Sequence, residues 1–445
     1  MKRGLIYGLL VLMGAPLVAQ VTEWQGPDRS AVFSDTGLLT HWPAEGPDLL
    51  FVTEGLGKGF SSVVSRGDTT YATGVIDSLE VLSAVDATGR ILWQTSYGPA
   101  WKGTYPEARC TPTLEENRLY VLTGMDRLSC RRTTDGSEIW SVDLHAEYGS
   151  EWDMFGVSES PLLYKDWVIA TPAGKETTVV ALDKRTGKTV WKSPSLDAKR
   201  SNLSPRWIHH CGRDYILTAV QTHMIGVDAA TGDILWTHLH NVLDQNNDNS
   251  TILANTPVYH DSCVWISNGW EVPSVMLEIS PDGKHVTEKF SDRTFDNQNH
   301  GVVLVDGHLY GSNFTGRQTG KWVCMNWDTG EIKWIGDFHT KGPVISADGM
   351  LYLLEEKRGN MALVKADPEH FEVVSSFRIE AGAGPFWARP VICDGKLMVR
   401  HGDVLAVYAL KKRNETTGTS ESDHSPADRG RDRLHRLVAG ARSSA

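Results

Sequence analysis

The chain has 445 residues, enough for two or three average domains or for one large β architecture. Hydrophobic residues make up 40% and charged residues 22%, the balance of a folded, water-soluble protein. A formal net charge of −11 excludes a nucleic-acid binder, which needs a basic face, and beyond the first twenty residues no run is long and apolar enough to span a membrane.

Lys2 and Arg3 precede the apolar run LIYGLLVLMGAPLV, and Ala19 offers a small residue for cleavage, so residues 1–20 read as a secretory signal peptide. That reading places the protein in the periplasm or outside the cell. No Cys follows the apolar run, which argues against a lipid anchor. Residues 21–47 are turn-rich and are expected to wrap one face before the first strand. DLLFVTE at 48–54 is a lone strand with no hairpin before it.

From there two series interleave. AVDATGRILW (84–93), CRRTTDGSEIW (130–140), ALDKRTGKTVW (181–191), GVDAATGDILW (226–236) and CMNWDTGEIKW (324–334) each spell a strand, a polar turn and a returning strand. Asp183 suits the turn because its carboxylate can bond the backbone two residues on, and Gly187 supplies a positive φ. Trp follows Gly by four residues in every copy, facing Ala, Gly or Cys, which predicts a ring packed between neighbouring units. The second series, CTPTLEENRLYVL (110–122), ESPLLYKDWVIA (159–170), TPVYHDSCVWIS (256–267), GPVISADGMLYLL (342–354) and RPVICDGKLMVR (389–400), supplies strands that open with Pro and so start a sheet. Together they give an all-β, four-stranded antiparallel unit repeated about every 42 to 54 residues, the period of a propeller blade. Outer-strand rungs at Phe51, Trp93, Trp140, Trp191, Trp236, Phe290, Trp334 and Phe377 predict eight blades over residues 48–410, with seven the alternative because Phe is a weaker marker. The last blade lacks its fourth strand, and 48–54 is expected to complete it beside 404–410. Residues 411–445 are polar, almost without aromatics, and are expected to be disordered.

Six Cys are spread along the chain with no CxxC and no adjacent pair, which excludes a tetrathiolate zinc site and c-type haem attachment. Cys130 and Cys324 fall where other copies carry Ala or Gly and read as small buried residues. DQNNDNS (244–250) places Asp244, Asn246 and Asp248 at alternate positions, as at the start of a calcium loop. Asn249 stands where such loops have Gly, and Asn255 where they have Glu, so an ordinary solvated loop is the main reading. No zinc site is expected: adjacent His209 and His210 would face opposite sides of a strand, and His238 and His240 lack a carboxylate partner by spacing. No GxSxG elbow occurs.

The loops that join one blade to the next are long and aromatic, and they share a face with the loops between second and third strands. They bring Trp101, Tyr105 and Arg109; Trp152 and Asp153; Asn268 and Trp270; Asn299 and His300; and Trp387 and Arg389. Converging near the axis, they would form a concave mouth with flat apolar walls and a few polar directors, unless the aromatics simply plug the funnel. Arg109, Lys341 and Arg389 open first strands near the axis and could bind an anion.

The A-x-D-x-x-T-G-x-x-x-W unit, matched throughout by Ala181, Asp183, Thr186, Gly187 and Trp191, resembles the repeat of quinoprotein-like β-propellers, the superfamily of pyrroloquinoline quinone (PQQ) dehydrogenases and the assembly lipoprotein BamB. The resemblance covers about residues 23–410 and implies the fold. Alcohol-oxidising members hold their quinone against a disulfide of adjacent Cys and a cation beside a catalytic Asp; this chain has no adjacent Cys and no segment matching those motifs. The expectation is therefore an exported, monomeric, non-catalytic propeller that binds a protein partner or a glycan at its aromatic face, with no catalytic residue and no cofactor. The alternative is a quinoprotein-type dehydrogenase with PQQ and calcium, or a carbohydrate-active enzyme using the same mouth.

Overall fold

Alternating β-formers and turn residues build, in the computed structural model, eight antiparallel sheets arranged as an eight-bladed β-propeller. The structure describes residues 19–152, 154–240, 253–270, 272–316 and 319–412. Residues 1–18 of the leader assigned to 1–20, Asp153, the 244–250 loop with its calcium reading at Asp244, Asn246 and Asp248, and residues 413–445 of the tail assigned to 411–445 lie outside the described residues. Blades 1 to 7 occupy residues 64–99, 113–143, 162–192, 206–239, 258–292, 302–336 and 344–378, each with its strands in simple up-and-down order. Blade 8 takes three strands from 391–409 and its fourth from Leu49–Thr53. That strand runs antiparallel to Val404–Ala409, with Phe51 opposite Val407 and Thr53 opposite Leu405. The ring closes as the sequence predicts, with eight blades and not seven.

The repeated Trp explains why blades adhere. Trp93, Trp140, Trp191, Trp236 and Trp334 lie opposite Ala84, Cys130, Ala181, Gly226 and Cys324 on the neighbouring strand, so small residues leave room for the indole. A register shift follows each of these pairs, a bulge that increases the local twist. The ring then reaches the turn of the next blade. A Cβ placed on Gly136 would stand 2.6 Å from the Trp93 ring, on Gly187 2.7 Å from Trp140, and on Gly232 2.4 Å from Trp191. Phe290 meets Gly330 in the same way, and Phe51 of the closing strand meets Gly89. Glycine is needed there for its positive φ and also for the close approach. The indole N–H adds a hydrogen bond across the same boundary, from Trp93 to Thr133 O (3.1 Å), from Trp140 to Lys184 O (3.1 Å) and from Trp334 to Asp367 O (2.8 Å). Asp183 Oδ1 shapes the turn itself by accepting from the Thr186 N–H at 2.9 Å and its hydroxyl at 2.8 Å.

The segment expected to wrap one face does more than that, because its first half enters the axis. Gln20–Val21 pairs with Val64–Arg66 of blade 1, and Val32–Phe33 runs parallel to the first strand of blade 7. Between them Gln25, Asp28, Arg29 and Ala31 all take positive φ, which costs such residues about 1–3 kcal/mol each. Arg29 offsets this. Its buried guanidinium donates to Ser160 O at 3.1 Å, Pro161 O at 2.6 Å and Pro205 O at 2.6 Å, and its Nε lies 3.1 Å from Glu23. Trp24 donates its indole N–H to Thr256 Oγ1 at 3.2 Å, and Leu114 N donates to Thr22 O at 2.7 Å. Only the second half wraps, with Trp42 buried against Tyr352 and Phe377. Among the described residues the one α-helix is Leu144–Tyr148, and no helix is long and apolar enough to cross a membrane.

Candidate functional site

First strands ring the axis, so the loops leading into them converge on one face. There they enclose a cavity of about 750 Å³, within the size range of small-ligand sites. Its floor is Trp24, carried into the axis by the N-terminal segment. Its walls include Phe60, Tyr105, Phe155, Trp270 and Trp387. Four of them form a continuous band: Phe60 and Trp387 lie 4.8 Å apart, Trp387 and Tyr105 5.2 Å, and Tyr105 stacks on Phe155 at 6.1 Å with 21° between planes. None of the six is buried, whereas Trp42, Trp265 and Trp322 are. The mouth therefore keeps flat apolar surface open to solvent.

Of the residues expected at this face, Tyr105, Arg109, Trp270, Asn299 and Trp387 line the cavity. Arg109 donates to the carbonyls of Tyr105, Phe155 and Thr104, so it ties the loop around Tyr105 to the loop around Phe155. Trp101 and Trp152 pack instead against each other at 6.1 Å and 86°, with His145 4.6 Å beyond Trp152. Gly156 and Gly103 give Trp101 its slot, since a Cβ on either would stand 2.7 Å from the indole. Asn268 is fully buried. His300 and Arg389 are buried behind the wall, where the Arg389 guanidinium donates to His300 O and lies 5.7 Å from the Trp24 ring. Asp153 lies outside the described residues.

A buried polar cluster, seen only in three dimensions apart from Lys341 and His300, backs the wall. Glu356, in the loop between the second and third strands of blade 7, is 2.9 Å from Lys341 Nζ through Oε1. Its Oε2 accepts from His300 Nε2 at 3.0 Å and from the Trp387 indole at 2.9 Å. Lys341 also donates to Gln298 Oε1 at 2.8 Å. Burial opposes the Glu356 charge, but the His300 hydrogen bond and the Lys341 ammonium outweigh it and hold the carboxyl down to about 2. Burial, with the Lys341 charge, pushes His300 down to about 4. At neutral pH a neutral imidazole thus donates its Nε2–H to an ionised carboxylate that can only accept. The cluster fixes Trp387 against the cavity. Trp24, Phe60, Glu356 and Lys357 were not singled out from sequence, since nothing local marks them as neighbours.

The chemistry of this lining can be tested against the fold's quinone enzymes. Flat walls and basic side chains would suit a planar acidic cofactor, but the described residues offer no donor set for the cation such a quinone needs. The single carboxylate among the described lining residues, Glu356, has both oxygens committed, and no group of three or more His, Cys, Asp or Glu suited to a metal occurs among the described residues. All six Cys are free, and no two are adjacent. The residues do not fit a quinone–cation centre. Hydrolysis of a glycoside calls for two carboxyl groups about 5–9.5 Å apart, and the described lining offers one.

A sequence model of the family described as outer membrane protein assembly factor BamB matches residues 78–335 and 210–370. No curated protein matches the chain in sequence. Among solved structures, BamB from Moraxella catarrhalis superposes with a TM-score of 0.59 at 15% identity, covering 82% of this chain and 99% of its own. A quinohemoprotein alcohol dehydrogenase from Comamonas testosteroni gives 0.65 at 11% identity, covering 91% and 82%. The computationally designed protein Ika8 gives 0.57 at 9% identity, covering 81% and 99%. At these identities the likeness is one of fold alone, and a designed protein in the same company shows how little chemistry the fold dictates.

Proposed function

Because the chain belongs to the family described as outer membrane protein assembly factor BamB, we propose that it is an exported, non-catalytic binding protein of the periplasm or the cell exterior. In this reading the aromatic mouth, and not the fold at large, is the working surface, and it takes a glycan or a segment of a partner protein. The observation that carries it is a cavity of about 750 Å³ whose six aromatic side chains keep exposed faces. The signal-peptide reading of residues 1–20 supports export, and the committed oxygens of Glu356 support binding without turnover.

The test is binding of the purified chain to an oligosaccharide panel and a peptide panel, with Tyr105→Ala as control. Tyr105 is 45% exposed, so its loss should leave the melting temperature within a few degrees. Its removal should weaken binding by about twofold to tenfold, since aromatic stacking contributes about 0.5–1.5 kcal/mol beyond buried area. The contrary result is a quinone absorbance with dye-linked alcohol oxidation after addition of PQQ and calcium. That outcome would establish the dehydrogenase reading in place of this one.

A further inference from the structure

Among the described residues, the lining of the mouth is opposite in charge to the chain as a whole. The chain carries a net −11, yet the described lining residues include Arg109, Lys341 and Lys357 against a single acid, Glu356. Glu356 spends its charge inward: Lys341 sits on Oε1, and His300 and Trp387 occupy Oε2. Lys357, next in the same loop, is exposed at the cavity, and its side chain makes no ion pair with a described residue. A ligand that covered this ammonium without neutralising it would strip its water and return nothing. Apolar walls around the cation also focus its field into the cavity.

The remaining lining narrows the class. Ser158 Oγ donates to Asn202 Oδ1 at 3.0 Å and Gln298 Oε1 accepts from Lys341 at 2.8 Å, while the exposed Asn299 presents its amide among the aromatic faces. A flat aromatic acid would use the walls and the cation but leave the Asn299 amide unmatched. A pyranose offers an apolar CH face to stack on Tyr105 or Trp387 and a rim of hydroxyls for that amide. We infer that the mouth takes an anionic oligosaccharide, a sugar chain carrying uronate carboxylates or sulfate esters, with an acidic group paired to Lys357. This rests on the glycan form of the function proposed above.

The experiment is titration calorimetry of the full chain with trigalacturonate, its fully methyl-esterified form, and a sulfated heparin-derived tetrasaccharide, each at 50 and 500 mM salt. Binding of either acidic sugar, at least tenfold tighter than the ester and weakened by salt, is the expected result. Lys357→Gln should lower the affinity for the acidic sugar to about that of the ester and leave the ester's affinity unchanged. Tyr105→Ala should weaken acid and ester alike. Preference for the sulfated over the carboxylated probe supports the inference and identifies sulfate as the group read. If the ester binds as tightly as the acid and both are lost in Tyr105→Ala, the charge inference falls while the glycan reading stands. If no sugar binds at any salt, both fall.

Discussion

Gly187 and Gly212 share a positive φ, 72° and 81°, but only Gly187 lies under an indole. A Cβ on Gly212 meets nothing within 4 Å, whereas on Gly187 it stands 2.7 Å from Trp140. Gly212→Ala should therefore cost only the left-handed backbone penalty of about 1–2 kcal/mol. Gly187→Ala should add an overpacking cost of about 1–3 kcal/mol, measured as the difference in urea unfolding free energy. Equal costs would show that the indole does not press on the turn. The Gly–Trp spacing was legible because both partners of each contact recur in the sequence at one offset. Arg29 was not. Its acceptors are carbonyls of Ser160, Pro161 and Pro205, and a backbone oxygen far along the chain leaves no trace in residue type.

At the scale of the strand, closure was legible from a deficit: three strands at 391–409 with no rung, and a lone strand near the start. The weaker rungs are explained by their partners. Phe290 and Phe377 lie opposite Met276 and Met361, where a larger neighbour leaves less space than Ala, Gly or Cys leave for Trp. The closing strand joins the two ends of the propeller through a strand ladder, which the Gly59 N to Gly402 O bond at 3.1 Å extends. Val52 lies opposite Ala406 in that ladder and is 36% exposed, so Val52→Pro removes ladder geometry and little packing. The expected outcome is a fall in melting temperature well beyond that of Val52→Ala, with faster proteolysis near residue 50. Melting temperatures that match would mean that closure contributes little to stability. The loops were read as one aromatic set from composition. The structure divides them, because Trp101 and Trp152 find each other while Tyr105, Trp270 and Trp387 face the cavity, and no local pattern distinguishes the two fates.

For the molecule as a whole, buried titratable groups define a pH window. Burial pushes Glu80 up to about 7, against hydrogen bonds from Tyr97 and Gly124 N. The folded state keeps this proton between about pH 4.5 and 7, where the unfolded chain has lost it, so stability falls as pH rises through that range. The displacement corresponds to about 3 kcal/mol. His300, pushed down to about 4 by burial, acts in the opposite sense. Its contribution is lost as pH falls from about 6.5 through 4, and that of Glu356 is lost from about 4.5 towards 2. Melting temperature should be highest at mildly acidic pH and fall on both sides. Glu80→Gln, which keeps an acceptor for Gly124 N, should reduce the alkaline limb by about half, because burial also pushes Glu159 up to about 7. An unchanged limb would mean that Glu80 is ionised in the folded state.

The arm that enters through the middle of the disc has one more consequence. A ring of eight similar wedges is usually pictured as a pipe, but Trp24 and Arg29 stopper this one. A solute in the aromatic mouth meets the Trp24 ring where a pipe would continue, so its stay depends on what that ring and the rim offer it. The same stopper works as a gauge: it must meet oxygens on the third and fourth wedges and an edge on the seventh, and a ring with one wedge too few could not seat it.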